Sequence, residues 1–259
     1  VVEKASQFPL LGQELPPPWN VRFQSEFHMT NDSHLFQATK RPDLWPLYEG
    51  KMIHQYDHRF EEPRYWLNEK ACRKAVLGRA RDTGQMLDYQ DFRLGFRKIA
   101  RCTNERTLIA AIIPPNFHAE NFQSIKTYED GKRLVSPEVI LYLCGLMNSL
   151  TLDYLLRLRV TANVNFFYVY QLPVPRLTAA DAAFAPIVQR AAQLTCTTNE
   201  FGALAKAVST ALKLPATAVK GVTDAAARSQ LRAELDALIA QLYGLTESEF
   251  AHILTTFPL

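Results

Sequence analysis

The chain has 259 residues, 47% of them hydrophobic and 21% charged, which is enough apolar material to bury a full core. No apolar run approaches the roughly 20 residues that would span a bilayer, and the N-terminus lacks a basic-then-apolar signal, so a soluble, cytoplasmic protein without membrane attachment is expected. The formal net charge is only +3, yet residues 40–106 hold 15 Lys and Arg against 10 Asp and Glu, while the remainder holds 14 against 16. A concentration of this kind is the electrostatic footprint of a surface that neutralises phosphates.

Residues 1–18 end in Pro16-Pro17-Pro18, in which no helix can continue, and read as an extended lead-in. The chain opens at Val1 without a methionine and reads as the middle of a polypeptide, so further chemistry is expected upstream. The compact fold is expected to begin near Trp19, where residues 19–27 alternate large and polar groups as a half-buried strand does. Asn31, Asp32 and Ser33 offer cap oxygens for a short helix ahead of the breaks at Pro42 and Pro46. Residues 47–56 read as a strand, and 64–67 extend the sheet.

Residues 68–81 space Ala71, Ala75 and Val76 among Lys70, Arg73, Lys74 and Arg79, the pattern of an amphipathic basic helix ending at Gly78 or Gly84. Residues 92–100 and 106–113 are rich in β-formers and predict a strand pair, joined through Cys102-Thr103-Asn104-Glu105 and closed by Pro114-Pro115. Asp130-Gly131 is a turn signal. Ser136-Pro137-Glu138 opens a helix with a cap oxygen, a proline at the first helical position and an acid in the first turn, and the apolar run 139–158 predicts a buried helix or a broken pair. A strand is expected over 165–171, with Leu172-Pro173-Val174-Pro175 as an extended exit. From Thr178 onward the composition turns to Ala, Leu, Gln and Glu at helical spacing. The pattern predicts an α+β domain over 19–175, a mixed or antiparallel sheet flanked by helices, followed by a C-terminal helical unit over 176–259.

The chemistry-bearing sets point to binding more than bond-making. Arg93, Arg97, Lys98, Arg101 and Arg106 crowd the predicted strand pair, and Gly95 among them would let a backbone approach a phosphate closely. Arg59, Arg64, Lys70, Arg73 and Lys74 form a second basic set. His54 and His58 stand four apart, but in extended chain that spacing does not converge on a metal. Pro42-Asp43 followed by Glu49-Gly50-Lys51 follows the order of a metal-dependent nuclease, giving Asp43, Glu49 and Lys51 as an alternative catalytic set, although the spacer is short and broken by Pro46. Cys72, Cys102, Cys144 and Cys196 are far apart and read as isolated buried thiols, with no disulfide framework and no zinc site. There is no Gly-x-Ser-x-Gly elbow, no dinucleotide-binding glycine fingerprint and no phosphate loop, so no catalytic residue and no cofactor is assigned within this chain.

Several blocks together resemble the C-terminal target recognition region of type II, type IIG-like, restriction-modification N6-adenine DNA methyltransferases, a group related to phage-defence methylases. They are Phe27-His28-Met29-Thr30-Asn31-Asp32 running to Phe36, Pro46-Leu47-Tyr48-Glu49-Gly50-Lys51-Met52-Ile53-His54 running to Arg59, residues 96–107, residues 163–175, and residues 235–245 with Ile253-Leu254. The exit at residues 172–176 followed by helices also resembles the junction between recognition domain and spacer in type I specificity subunits. The resemblance implies sequence-specific binding of double-stranded DNA on behalf of an upstream methyltransferase domain of the same polypeptide, which would carry the S-adenosylmethionine site and an Asn-Pro-Pro-Tyr motif. That motif is absent here, and Pro114-Pro115-Asn116 runs in the wrong order. Base reading is expected from Asn163, Asn165 and Arg106, and phosphate contact from the remaining basic residues. A protein-interaction module is the alternative of another class.

Overall fold

The computed structural model describes residues 1–15, 19–101 and 103–258. The expectations for Pro16-Pro17-Pro18 and for the Cys102 thiol fall outside the described residues. The architecture is α+β, an antiparallel sheet flanked by helices with a helical C-terminal segment.

Four strands make the main sheet: β1 (Phe23–Gln24), β4 (Arg93–Arg97), β5 (Ala110–Ile113) and β6 (Phe122–Ile125), in the order β1-β6-β4-β5 and antiparallel throughout. Two short hairpin-like pairs stand apart, β2 (Trp45–Pro46) with β3 (Trp66–Leu67), and β7 (Tyr128–Glu129) with β8 (Lys132–Arg133). The second closes through Asp130 and Gly131 at φ 49° and 73°, the two positive values that a tight hairpin turn requires.

The two-residue period of β4 sorts its side chains. Leu94 and Phe96 join Ala110, Ile112 and Ile125 in the main core, beneath α3 (Pro137–Met147). Arg93, Gly95 and Arg97 face the other way, where Ala111, Ile113 and Phe122 pack with Tyr48, Met52 and Ile53. Gly95 does not open the backbone to a ligand. It is buried, and a Cβ there would overlap the Phe122 ring and the Gln123 carbonyl, so the missing side chain is space already filled from inside.

The apolar run resolves as a broken pair, α3 and α4 (Leu150–Arg157), bent by 63°. Ser149 caps α4 by accepting from the Leu152 amide, and every residue of α3 from Val139 to Met147 is buried. No single helix among the described residues is long and apolar enough to cross a membrane; this pair passes only when its two halves are joined. The C-terminal helices α6 (Phe184–Thr195), α7 (Gly202–Ala211) and α8 (Ala225–Leu242) share one hydrophobic core with the sheet, and α9 (Glu247–Thr255) packs on α4. Gly145 on α3 makes this close: Ile187 Cγ2 stands 3.1 Å from where a Cβ would be.

Four local expectations are corrected. Within 1–15 the chain forms α1 (Val2–Ala5) and buries Ala5 and Leu11, with the Leu11 amide donating to the Leu172 carbonyl, because an apolar strip offered by 170–174 needs covering. Residues 19–27 contribute only the two-residue β1. Residues 47–56 form no strand: isolated bridges at Tyr48 and His54 flank a 3-10 turn at Gly50–Met52, and Met52 and Ile53 pack onto the sheet face. Residues 165–171 form the helix α5 (Phe166–Tyr170). There Phe166 and Tyr170, one turn apart, both pack on Phe23 while Phe167 points outward, so tertiary contacts override the β-propensity of the aromatic run.

Candidate nucleic-acid interface

Charge in residues 40–106 is divided between structural and available cations. Seven of the fifteen, Arg41, Lys51, Arg59, Arg64, Arg73, Arg93 and Arg106, lie beside a carboxylate. Lys40, Lys70, Lys74, Arg79, Arg81, Arg97, Lys98 and Arg101 pair with none among the described residues.

Arg93 and Arg106, expected to meet DNA, are internal. Arg93 is fully buried; its Nη1 donates to Glu26 Oε1 at 2.5 Å and its Nη2 to the Asn116 carbonyl. Arg106 Nε lies 3.1 Å from Asp153, which also accepts from the Thr107 and Leu108 amides, and Nη2 donates to the Asn148 carbonyl. Both side chains are consumed in neutralising buried carboxylates, so neither presents a donor to a ligand. Arg73 is likewise turned inward, its guanidinium shared among Asp82, Tyr89, Gln90 and the Gln85 carbonyl. Arg59 is exposed but pairs with Glu200 at 2.7 Å.

Five of these eight available cations fall into two places. On α2 (Glu69–Leu77), Asn68 caps the first turn, Cys72 faces the small core formed with Phe27, Leu47, Leu67, Tyr89 and Phe117, and Lys70 and Lys74 are left on the exposed face. At the exit of β4, Arg97 and Lys98 are half-buried and Arg101 exposed. The backbone there is gripped from both sides. Lys98 donates its amide to the Asn121 carbonyl at 3.0 Å and accepts from the Val164 amide at 2.8 Å, while Ile99 bridges to Asn163.

Beside this exit lies a cavity of about 310 Å³ lined by Glu49, Gly50, Lys51, Arg64, Arg97, Ile99 and Asn121. Gly50 is required at its floor, since a Cβ would overlap the Asn121 carbonyl; its amide donates to Asn121 Oδ1 at 2.9 Å. Burial lowers the Arg97 guanidinium from its usual range, with Glu61 opposing, and among the described residues no carboxylate pairs with it. Such a cation, half out of water and unmatched, gains from an arriving anion. Ile99 is 68% exposed at the rim, an apolar side chain flanked by cations, and nearby Phe60 is 51% exposed and stacks on His54 at 4.8 Å. Asn163 is exposed, and Asn165 is exposed at the start of α5 with no side-chain cap bond.

The nuclease set does not assemble. The Asp43 carboxylate faces Arg41 at 3.4 Å, Glu49 is buried against Arg64, and Lys51 stands 3.9 Å from Glu61. Among the described residues no three His, Cys, Asp or Glu side chains converge as a metal cluster. His54 and His58 diverge, His58 being buried edge-on to Phe201 and bonded to Glu200 at 3.1 Å. Cys72 and Cys144 are buried and Cys196 is partly so, each with its thiol pushed up to about 12 by burial. A larger cavity, about 630 Å³, runs between Trp45, Tyr48, Asn116, His58 and Glu200.

Gly50, Ile99 and Asn121 were not expected at a site, and Glu49 was expected only in the nuclease set. Gly50 and Glu49 lie within residues 46–59, but nothing in the spacing announced that Asn121 would close over them.

No protein-family model and no curated protein matches the chain. Among solved structures the chain is similar to the Type IIL restriction-modification enzyme MmeI, determined in complex with DNA, at 11% identity and a TM-score of 0.48, over 97% of this chain and 36% of that one. The chain therefore spans about a third of the length of that enzyme.

Proposed function

We propose that this chain binds duplex DNA sequence-specifically, as the target recognition region of an N6-adenine DNA methyltransferase of a restriction-modification or phage-defence system. The observation that carries the reading is the β4 exit: Arg97, Lys98 and Arg101 leave the strand there without carboxylate partners among the described residues, and Arg97 lines a cavity together with Arg64, Lys51 and Asn121. The family resemblance of the sequence blocks that build this exit, residues 46–59, 96–107 and 163–175, supports it.

The division of labour follows from the chemistry. Long unpaired cations release counterions when they meet phosphates and set the register of the duplex, while side chains held in fixed orientation read base edges. The exposed Ile99 would lie against the groove or a base step. In this reading S-adenosylmethionine and the methyl transfer belong to an upstream methyltransferase domain, which would flip the adenine from the stack.

Electrophoretic mobility shift with mixed-sequence duplexes at two salt concentrations tests it. Retardation at low salt that weakens steeply at high salt is expected. Indifference to duplexes at low salt would favour the protein-interaction alternative.

A further inference from the structure

We propose that Arg64 reads a guanine, and that buried Glu49 with Tyr65 holds its guanidinium in the reading orientation. This rests on the DNA-binding reading above. The side chain of Arg64 is half exposed, yet it is fixed from two directions. Nη2 donates to Glu49 Oε1 at 2.7 Å, and the guanidinium carbon sits 4.7 Å over the Tyr65 ring. Most surface arginines swing freely, and the entropy lost on binding reduces what each contact contributes. Here that ordering is already done.

The anchoring carboxylate is itself unusual. Glu49 is 1% exposed, and its second oxygen, Oε2, has no hydrogen-bond partner among the described residues. A buried carboxylate with a single partner is costly, and a plain surface ion pair does not need one. Its geometric effect is to fix one hydrogen of Nη2. The other Nη2 hydrogen and a neighbouring nitrogen remain as a bidentate edge, because Nε and Nη1 have no protein acceptor among the described residues. Such an edge matches the O6 and N7 acceptors of guanine, which one base pair in four orientations presents.

Arg64 also sits on rigid backbone. It precedes β3, whose Trp66 and Leu67 pair with Pro46 and Trp45, and the Tyr65 carbonyl accepts from the Leu47 amide at 2.9 Å. Among the described residues Arg97, Lys98 and Arg101 have neither an anchoring carboxylate nor a stacking ring, in contrast to Arg64, which suits them to phosphates. Arg64 is therefore separated from its basic neighbours by how it is held.

The test begins with the duplex that the 259-residue chain selects from a randomised library. Binding of Arg64→Ala, Arg64→Lys and Glu49→Gln variants is then compared on that duplex and on single-position replacements of each of its G·C pairs. Arg64→Ala and Arg64→Lys should both lose roughly ten- to hundredfold affinity for the selected duplex and become indifferent at one G·C position, with the salt dependence of Arg64→Lys unchanged. Glu49→Gln should blunt the same preference. If Arg64→Lys binds as the parent does, or Arg64→Ala weakens all duplexes equally, Arg64 contacts a phosphate and the inference falls while DNA binding stands. Failure of the parent to bind any duplex sinks both. Should Arg64→Ala not fold, the double variant Glu49→Gln/Arg64→Gln leaves no charge unpaired and carries the same expectation.

Discussion

Arg93 Nη1 lies 2.5 Å from Glu26 Oε1, and both side chains are sealed from solvent. Glu26 Oε2 accepts from the His118 amide at 2.9 Å, so one pair ties β4 to the loop before β6. Arg93→Ala would strand the carboxylate in the interior and should cost about 3–5 kcal/mol. Replacing both partners with Met and Gln should cost much less. Urea unfolding of the single and double variants measures the difference.

Arg97→Ala with Lys98→Ala should weaken binding to every duplex and flatten the plot of log K against log salt by about 2 in slope, since two fewer counterions leave the DNA. Isotherms at four salt concentrations read this directly. An unchanged slope would remove the β4 exit from the phosphate contacts.

His118 gives the fold an acid-sensitive element. It is fully buried between Ser124 and the Ala119 carbonyl, and burial, with Arg93 acting in the same direction against Glu26, depresses it to about 4. The unfolded chain therefore takes up a proton near the ordinary value of 6.5 while the folded chain refuses it. This contribution is complete above 6.5 and is lost as the pH falls from there to 4, by about 3 kcal/mol at most. Urea midpoints from pH 4 to 7.5 should show the decline, and His118→Gln should flatten that part of the curve.

Asp236 on α8 acts in the opposite sense. Burial raises its carboxyl to about 6, although it accepts from the Leu150 amide at 2.7 Å at the start of α4. The protonated form fits the fold, so its contribution is present at low pH and is lost as the pH rises through 6. Asp236→Asn keeps the acceptor without the charge and should stabilise the protein at pH 8 by about 1–3 kcal/mol, with no gain at pH 4. Thermal melts at the two pH values decide it.

Gly95→Ala should destabilise by about 1–3 kcal/mol without altering the salt dependence of binding, because its cost is overlap with the Phe122 ring and the Gln123 carbonyl. Were Gly95 instead a phosphate-approach position, affinity would change more than the melting temperature.

The fold class was legible because its signals are local. The amphipathic spacing of α2, Pro137 at the first position of α3, the β4 and β5 pair and the Asp130-Gly131 turn each act over a few residues. Long-range partners were not legible. β6 inserts between β1 and β4 and is buried on both faces, so it lacks the alternation that marks a half-solvated strand. The same gap explains the basic residues. Arg93 and Arg97 lie four residues apart on one strand face and read alike, but of the two Glu26 reaches only Arg93, 67 residues away in the chain. Arg106 looked like a base reader until Asp153 came beneath it.

The rim around Arg64 and Arg97 is assembled from four separate stretches, at residues 49–51, 64, 97–99 and 121, with backbone hydrogen bonds at 49–50, at the neighbouring Tyr65, at 97–98 and at 121. No contiguous peptide holds the surface, so transplanting one loop into a related scaffold would carry an incomplete set of contacts. Point replacement is the easier route to altered preference. The side chains at 51, 97 and 99 can be exchanged individually and that at 64 together with its partner Glu49, whereas Gly50 and Asn121 have to stay for the rim to keep its shape.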